Sequence, residues 1–179
     1  MNDVYWDSSS LDDSENAEAT TLAAEPSFLP DLVRTPSARG RFGPEEANKA
    51  LREQVSPWTR ELGLIAEACS PAGAVLRLPR NERILQPGNA LSGQALLACA
   101  DAAMAIAILG QLGDLRNLTT VTIAADFMRA LRVGDVMIAA TVRRRGRTLV
   151  FAECSFIEPG IPGVAVHATA TWAFINPSI

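Results

Sequence analysis

A single carboxylate interrupts the longest apolar segment of the chain. Residues 95–109 are apolar at every position except Asp101, and its neighbours one helical turn away on either side are all apolar. Burying a carboxylate without a partner is costly, so this one must be protonated, paired or directed into a cavity. Two interpretations follow: a structural Asp bonded to a backbone amide, or a general base that activates water.

The residues before this segment form a second candidate. Ser92, Gly93 and Gln94 would begin the helix, where free amides and the positive end of the dipole suit a developing oxyanion or a thioester carbonyl. Ser92 is expected to be an N-cap and not a nucleophile, because the surrounding residues lack the GxSxG pattern. The sole histidine, His167, is expected to lie on a strand face without a metal or triad role.

Arginines are concentrated in one further segment. Arg143, Arg144, Arg145 and Arg147 surround Gly146. A tight hairpin with solvated side chains and a landing patch for phosphate are both compatible with this pattern.

Charge divides the chain into a tail and a body. Of the 179 residues, the first 33 hold eight acids and no base, while all 16 bases and the other 12 acids follow. Such an acidic segment cannot offset its own ordering entropy, so residues 1–43 are predicted to be a disordered tail and linker, and residues 44–179 a single domain. The mildly basic body suits an anionic ligand but gives no strong nucleic-acid signal.

The cysteines and the N-terminus indicate the compartment. Cys69, Cys99 and Cys154 are an odd, scattered set without zinc spacing, so they are interpreted as small buried hydrophobes and no metal site is expected. Because no basic and apolar leader follows Met1, a cytoplasmic location is expected.

Periodicity predicts an α+β fold. A helix is expected from Pro44 to about Val55, and a short turn from Trp58 to Leu62. The predicted strands and long helix follow in the order Leu64–Ala68, Ala74–Leu78, helix 92–112, Leu118–Phe127, Val136–Arg145, Thr148–Ile157 and Val164–Phe174. Short links require antiparallel neighbours, so one antiparallel sheet should curl around the long helix. The 15 residues of the apolar run would span about 22 Å, less than the roughly 30 Å core of a bilayer, which favours a core helix and no membrane contact.

Three segments resemble one family. Residues 85–104 (LQPGNALSGQALLACADAAM) look like the N-x-x-G-x-x-H-G-G-x(6)-L-x-D-x-A signature of hot-dog thioesterases of the phenylacetate-degradation (PaaI-like) type. Residues 126–135 (DFMRALRVGD) resemble the DFLRPARPGD segment of that family, and residues 144–149 (RRGRTL) its RRGRRL hairpin. The resemblance covers roughly residues 57–175.

The resemblance implies a hot-dog fold that forms a homodimer or homotetramer, with acyl-CoA across the subunit interface and no cofactor beyond the coenzyme A of the substrate. Asp101 would be the general base or nucleophile, and the N–H of Gly93 would donate to the thioester oxygen. Gln86 occupies the place of an Asn near the thioester, and Thr119 or Thr120 that of a hydroxyl that holds the water.

Two further positions, at the start of the helix, depart from the pattern of the family. Ser92 stands where the usual His would be, and Gln94 replaces the second Gly. Ser92 and Gln94, together with Arg144, Arg145 and Arg147, are predicted to contact the substrate.

The leading hypothesis for the function is acyl-CoA hydrolysis. A non-catalytic acyl-CoA-binding or regulatory protein is the alternative, which Ser92 and the acidic tail favour. A hydratase comes third, because such enzymes generally pair a His with their carboxylate.

Overall fold

The computed structural model describes residues 42–175 apart from Val133. Of the predicted tail and linker, only Phe42 and Gly43 fall within these residues, and the rest lies outside them. Phe42 is 3% exposed and packs in the hydrophobic core. The packed domain therefore includes Phe42.

The elements follow the predicted order of a helix, two strands, a long helix and four strands. The helices are α1 (Pro44–Glu53), α2 (Pro57–Arg60) and α3 (Gly93–Leu112), with a 3₁₀ turn at Glu82–Ile84. The strands are β1 (Ile65–Ser70), β2 (Gly73–Leu78), β3 (Leu118–Phe127), β4 (Val136–Arg145), β5 (Leu149–Ile157) and β6 (Val166–Phe174). The bounds predicted for β3 and β4 are confirmed, and β1 extends two residues further than predicted.

The six strands form one antiparallel sheet in the order β1-β2-β4-β5-β6-β3. This order makes β3 an edge strand, and its ten residues form the longer of the two edges. The sheet curls around α3, whose apolar side chains form the core with the inward-facing residues of the strands. The predicted α+β architecture is confirmed.

Helix α3 is longer than its apolar run. It has 20 residues and ends at Gly113, whose φ of 70° gives the left-handed cap that glycine adopts without strain. At 1.5 Å per residue this is about 30 Å, so length alone does not exclude a membrane span and the sequence argument from 15 residues was wrong. The helix nevertheless lies inside the sheet, with 67% of its most apolar stretch buried.

Glycine lets α3 approach β1 closely. A Cβ atom added at Gly110 would lie 2.7 Å from the sulfur of Cys69 and 2.9 Å from the carbonyl oxygen of Ser70. Any larger residue at this position would therefore push the helix away from the strand.

Helix α1 is fixed to the sheet by Asn48. The side chain of Asn48 accepts a hydrogen bond from the N–H of Ala66 at 3.0 Å and donates one to the carbonyl of the same residue at 2.9 Å. At the start of α1, Glu46 accepts the N–H of Gly43 at 2.9 Å. These bonds hold α1 where it forms one wall of the cavity described below.

The three cysteines are buried, as predicted. Cys69, Cys99 and Cys154 are free thiols with at most 3% exposure. Burial raises the pKa of the Cys69 and Cys99 thiols to about 12. These two side chains are therefore protonated at neutral pH and pack as small hydrophobes.

Candidate active site

A cavity of about 870 Å³ lies between α3 and the edge strand β3, within the size range of small-molecule sites. Helix α1, the segment that follows it and α2 close one side of the cavity. From α3 it receives one carboxylate, the side-chain amide of Gln94 and a set of apolar side chains: Leu97, Ala98, Ala102, Ala105, Ile106 and Leu109. That carboxylate is Asp101.

Asp101 has one hydrogen-bond partner among the described residues. The hydroxyl of Thr120 donates to its carboxylate at 2.7 Å. No backbone amide bonds to it in this part of the chain, so the structural interpretation of Asp101 lacks the contact on which it rested. Burial raises the pKa of the Asp101 carboxyl above its ordinary value, and the hydrogen bond from Thr120 partly offsets that rise. The carboxylate is therefore a stronger base than an exposed Asp.

The register of β3 distinguishes Thr120 from Thr119. Thr120 is paired with the buried Trp172 of β6, whereas Thr119 is paired with Ala173 and is exposed. A bulge between Thr120 and Thr122 shifts the register at this point, and bulges commonly redirect a side chain at a functional site. Both threonines border the cavity, but only Thr120 bonds to Asp101.

Helix α3 begins after Ser92, as predicted, but Ser92 makes no capping hydrogen bond. Ser92 occupies the N-cap position, but its hydroxyl donates to the side-chain oxygen of Gln94 at 2.7 Å and caps no backbone amide. The first turn also carries no acidic residue. Since the first amides of a helix have no partner within the helix, those of Gly93 and Gln94 are left available to an anionic group, which supports the electrostatic role predicted here.

An aromatic ring that the sequence analysis missed flanks this helix start. Phe127 ends β3, and its ring lies 3.5 Å from where a Cβ of Gly93 would be. The ring is 49% exposed although it is large and apolar. Its position follows from the register of β3 and has no signal in the local sequence.

The helix start and the carboxylate are separated within one chain. Gly93 and Asp101 are eight positions apart, which corresponds to about 12 Å along a helix. Gln86 lies near the Gly93 end of α3 and not near Asp101, because its loop leads directly into the helix. The N–H of Gln86 closes this loop by donating to the carbonyl of Ala90. Gln86 is exposed and does not border the cavity.

The arginine segment forms the predicted hairpin between β4 and β5. Arg144 is paired with Phe151 and Arg145 with Val150, so the two neighbouring side chains point to opposite faces of the sheet. Neither these two nor Arg147 borders the cavity. Their contact with a substrate remains a prediction.

His167 lies on the outer face of the sheet, away from α3. Its Nδ1 is 3.3 Å from the hydroxyl of Ser155, and its Nε2 is 3.9 Å from Glu153. The buried Trp172 borders the cavity and is an odd number of residues further along β6, so the two side chains have opposite faces. His167 therefore takes no part in the cavity, in agreement with its predicted place on a strand face.

Residues from the side of the cavity closed by α2, and one after β6, were also not predicted. Val55 and Trp58, from α2 and the link before it, and Ile175 after β6 all border the cavity. Single residues of short, irregular segments have no periodic pattern, so their position becomes visible only in the folded chain.

Comparisons with known proteins identify the fold. The sequence model of the family described as "Thioesterase superfamily" matches residues 88–170, which include Gly93, Asp101 and Thr120. The Thermoplasma acidophilum protein named "Putative esterase Ta0293" is 23% identical over 83 residues, which are 46% of this chain and 62% of that relative. This chain therefore aligns with less than two thirds of the length of that relative.

Two solved structures have the same architecture. Thioesterase HI1161 from Haemophilus influenzae has a TM-score of 0.68 at 21% identity, over 77% of this chain and 94% of its own. The phenylacetic acid degradation-related protein of Ralstonia eutropha JMP134 has a TM-score of 0.61 at 22% identity, over 71% and 98%. At these identities the likeness concerns the fold, and it confirms the hot-dog architecture that the sequence motifs imply.

Proposed function

We propose that this protein hydrolyses the thioester of an acyl-CoA. The premise is that residues 88–170 belong to a domain of the thioesterase superfamily. One observation carries the proposal: the Asp101 carboxylate, bonded to Thr120 at 2.7 Å, faces a cavity whose α3 wall is otherwise mostly apolar. A buried base beside a hydroxyl can hold and deprotonate a water molecule.

The site needs two copies of the chain. A base and an oxyanion donor must both reach one carbonyl group, and Gly93 and Asp101 are about 12 Å apart along one helix. Two copies of α3 packed antiparallel about a two-fold axis would bring Asp101 of each copy towards Gly93 of the other, because an isologous interface exchanges the two positions. This supports a homodimer with two shared sites.

The edge strand β3 supports the same assembly. A long strand edge with unpaired backbone groups is a template for another strand. Four exposed, large apolar side chains lie on β3 or within three residues of its ends: Leu115, Val121, Phe127 and Met128, which are 49–58% exposed. A concentration of apolar surface along one edge favours a covered interface.

The mechanism follows from these groups. Thr120 and Asp101 orient a water molecule, and Asp101 accepts its proton as the oxygen attacks the thioester carbon. The N–H of Gly93 of the partner subunit donates to the carbonyl oxygen as it becomes an oxyanion. The intermediate then collapses, the carbon–sulfur bond breaks, and coenzyme A leaves as a thiolate that takes up the proton. The products are the free acid and the thiol.

Release of free thiol from aromatic, short-chain and medium-chain acyl-CoA tests the proposal. Asp101→Asn should lower kcat by at least about 100-fold, the low end of general-base contributions, with an unchanged fold. Asp114→Asn is the matched control, since Asp114 is exposed outside the cavity and bonds only to the N–H of Leu115 among the described residues. Wild-type turnover by Asp101→Asn would show that the carboxylate is structural.

The second candidate is a non-catalytic acyl-CoA-binding protein. Ser92 favours it, because Ser92 takes the place of the His that the family motif carries and its hydroxyl is engaged by Gln94. Binding of acyl-CoA by the wild-type protein without thiol release would support this candidate over hydrolysis.

A further inference from the structure

The cavity continues well beyond the carboxylate that the mechanism uses. From Asp101 it follows α3 towards the C-terminal end of the helix, past Ala102, Ala105 and Ile106 to Leu109. Asp101, Ala105 and Leu109 are four residues apart and so lie on one row of the helix surface. None of the α3 residues that border this half of the cavity is polar.

We propose that this half of the cavity holds the acyl group of the substrate as an extended alkyl chain of medium length. The proposal rests on the proposed thioester hydrolysis, because Asp101 marks the position of the thioester carbon. Alanines at 102 and 105 leave room beside the helix that larger side chains would fill. The binding free energy of the substrate becomes more favourable with each methylene group that an apolar channel buries.

The length of the acyl chain that fits is estimated from the length of α3 that lines the channel. Asp101 and Leu109 are eight residues apart, about 12 Å along the axis. Carbon–carbon bonds of about 1.5 Å in a zigzag advance the chain by about 1.25 Å each. The channel therefore takes an acyl group of about eight to ten carbons.

Polar residues mark the end of the channel. Arg116 and Asn117 link α3 to β3, and Gln54 follows α1; all three border the cavity. Trp58 also borders the cavity, with 53% of its surface exposed. A chain longer than the channel would leave its terminal carbons at this polar rim, where additional methylenes gain little.

A chain-length series tests the proposal. Thiol release is measured with straight-chain substrates from acetyl-CoA to palmitoyl-CoA and with benzoyl-CoA. For the wild-type protein we expect kcat/KM to rise about two- to fourfold per methylene up to octanoyl- or decanoyl-CoA, and to level off beyond. A flat profile, or a preference for benzoyl-CoA over decanoyl-CoA, would overturn the proposal.

Leucine substitutions at three alanines test the direction in which the acyl chain extends from Asp101. Ala105→Leu blocks the channel and should lower kcat/KM for decanoyl-CoA at least about tenfold, with less than about a twofold change for acetyl-CoA. Ala98→Leu adds the same atoms one turn before Asp101, on the other side of the carboxylate, and should change the values for both substrates by a similar factor. Ala72→Leu, in the exposed turn between β1 and β2, should change neither. Equal effects of Ala105→Leu on short and long chains would contradict the channel.

A binding measurement separates this proposal from the proposed hydrolysis. The non-hydrolysable thioethers ethyl-CoA and decyl-CoA are titrated into wild type and Ala105→Leu. If the wild-type protein releases no thiol but binds decyl-CoA at least about tenfold more tightly than ethyl-CoA, and Ala105→Leu removes that difference, the channel holds and hydrolysis fails. Equal affinities for the two thioethers in an active enzyme would leave hydrolysis standing and refute the channel.

Discussion

The chemistry of Asp101 depends on its surroundings more than on its residue type. An exposed aspartate is a weak base, but burial beside apolar side chains raises the pKa of Asp101 and so strengthens it as a base. Thr120 works in the opposite direction, because its hydroxyl donates to the charged carboxylate and stabilises it. The balance of the two effects sets the lowest pH at which the base is available.

Thr120→Val is therefore expected to narrow the range of pH in which the protein is active. Removal of the donor favours the protonated form of Asp101 and raises its pKa further. Since the base must be unprotonated, activity is lost as the pH falls through that pKa, and the acidic limb of kcat/KM should move to higher pH. Thr120→Ser keeps a hydroxyl and should keep the limb of the wild type. An acidic limb that is identical in the valine variant would mean that Thr120 does not act on Asp101.

The sequence indicates Asp101 as a candidate because a single charge in an apolar helix is conspicuous, and the structure places it in the cavity. It could not choose between Thr119 and Thr120, since that choice depends on the bulge that follows Thr120 in β3. It also assigned to Ser92 the usual capping bond, whereas the nearby Gln94 accepts its hydroxyl instead. Whether a hydroxyl bonds to a backbone amide or to a nearby side chain depends on side-chain geometry, and a residue pattern does not contain that information.

Among the elements, α3 has two roles. In the proposed mechanism its first amides provide a positive end for an oxyanion and Asp101 in its middle acts as the base, while its side chains line one wall of the cavity. The sequence predicted this helix and the strands β3 and β4 well, because hydrophobic periodicity and glycine turns are strong signals. Phe42 was predicted to lie in a linker, and the α2 residues that close the cavity were predicted to form a turn. The sequence gives no signal for their packing, because it depends on contacts with residues distant in sequence.

The role of the first amide of α3 can be tested without disturbing the helix. Gly93 is the first helical residue, where proline is tolerated, and Ser92 before it has the extended conformation that proline requires (φ −64°, ψ 132°). Gly93→Pro removes the N–H, adds the three carbons of the proline ring, and should lower kcat by about 10²- to 10³-fold. Gly93→Ala keeps the N–H, and its Cβ would be at ordinary contact distance from Phe127, so its activity should remain within about threefold of wild type. Equal activity of the two variants would exclude this amide as a donor.

The packing of α3 against β1 carries a separate prediction for stability. Gly110→Ala should lower the free energy of unfolding by about 1–2 kcal/mol, because the clash with Cys69 and Ser70 exceeds the gain in helix propensity. Chemical denaturation measures this difference. Gly134→Ala is the control, since no atom lies within 4 Å of its added Cβ. An unchanged or increased stability of Gly110→Ala would show that the helix and strand can separate at little cost.

For the whole molecule, the proposed mechanism requires an assembly that one chain does not complete. A single chain leaves the β3 edge open and keeps Gly93, the proposed oxyanion donor, about 12 Å along α3 from Asp101, the proposed base. Fold recognition from sequence succeeds because the hot-dog motifs lie within one chain. The proposed shared site has no such signal in the sequence, because it rests on the distance along the helix between Gly93 and Asp101, which is too large for both to reach one carbonyl group.

Mixing two inactive variants tests this shared site most directly. In a dimer of one Asp101→Asn subunit and one Gly93→Pro subunit, one site carries both substitutions and the other carries neither. After subunit exchange at equal concentrations, half of the dimers are mixed, so thiol release should recover to about a quarter of the wild-type rate. Each variant alone should stay at its own low rate under the same treatment. If the mixture forms mixed dimers but remains as inactive as its components, Asp101 and Gly93 do not act across the interface, and the proposed two-subunit site is wrong.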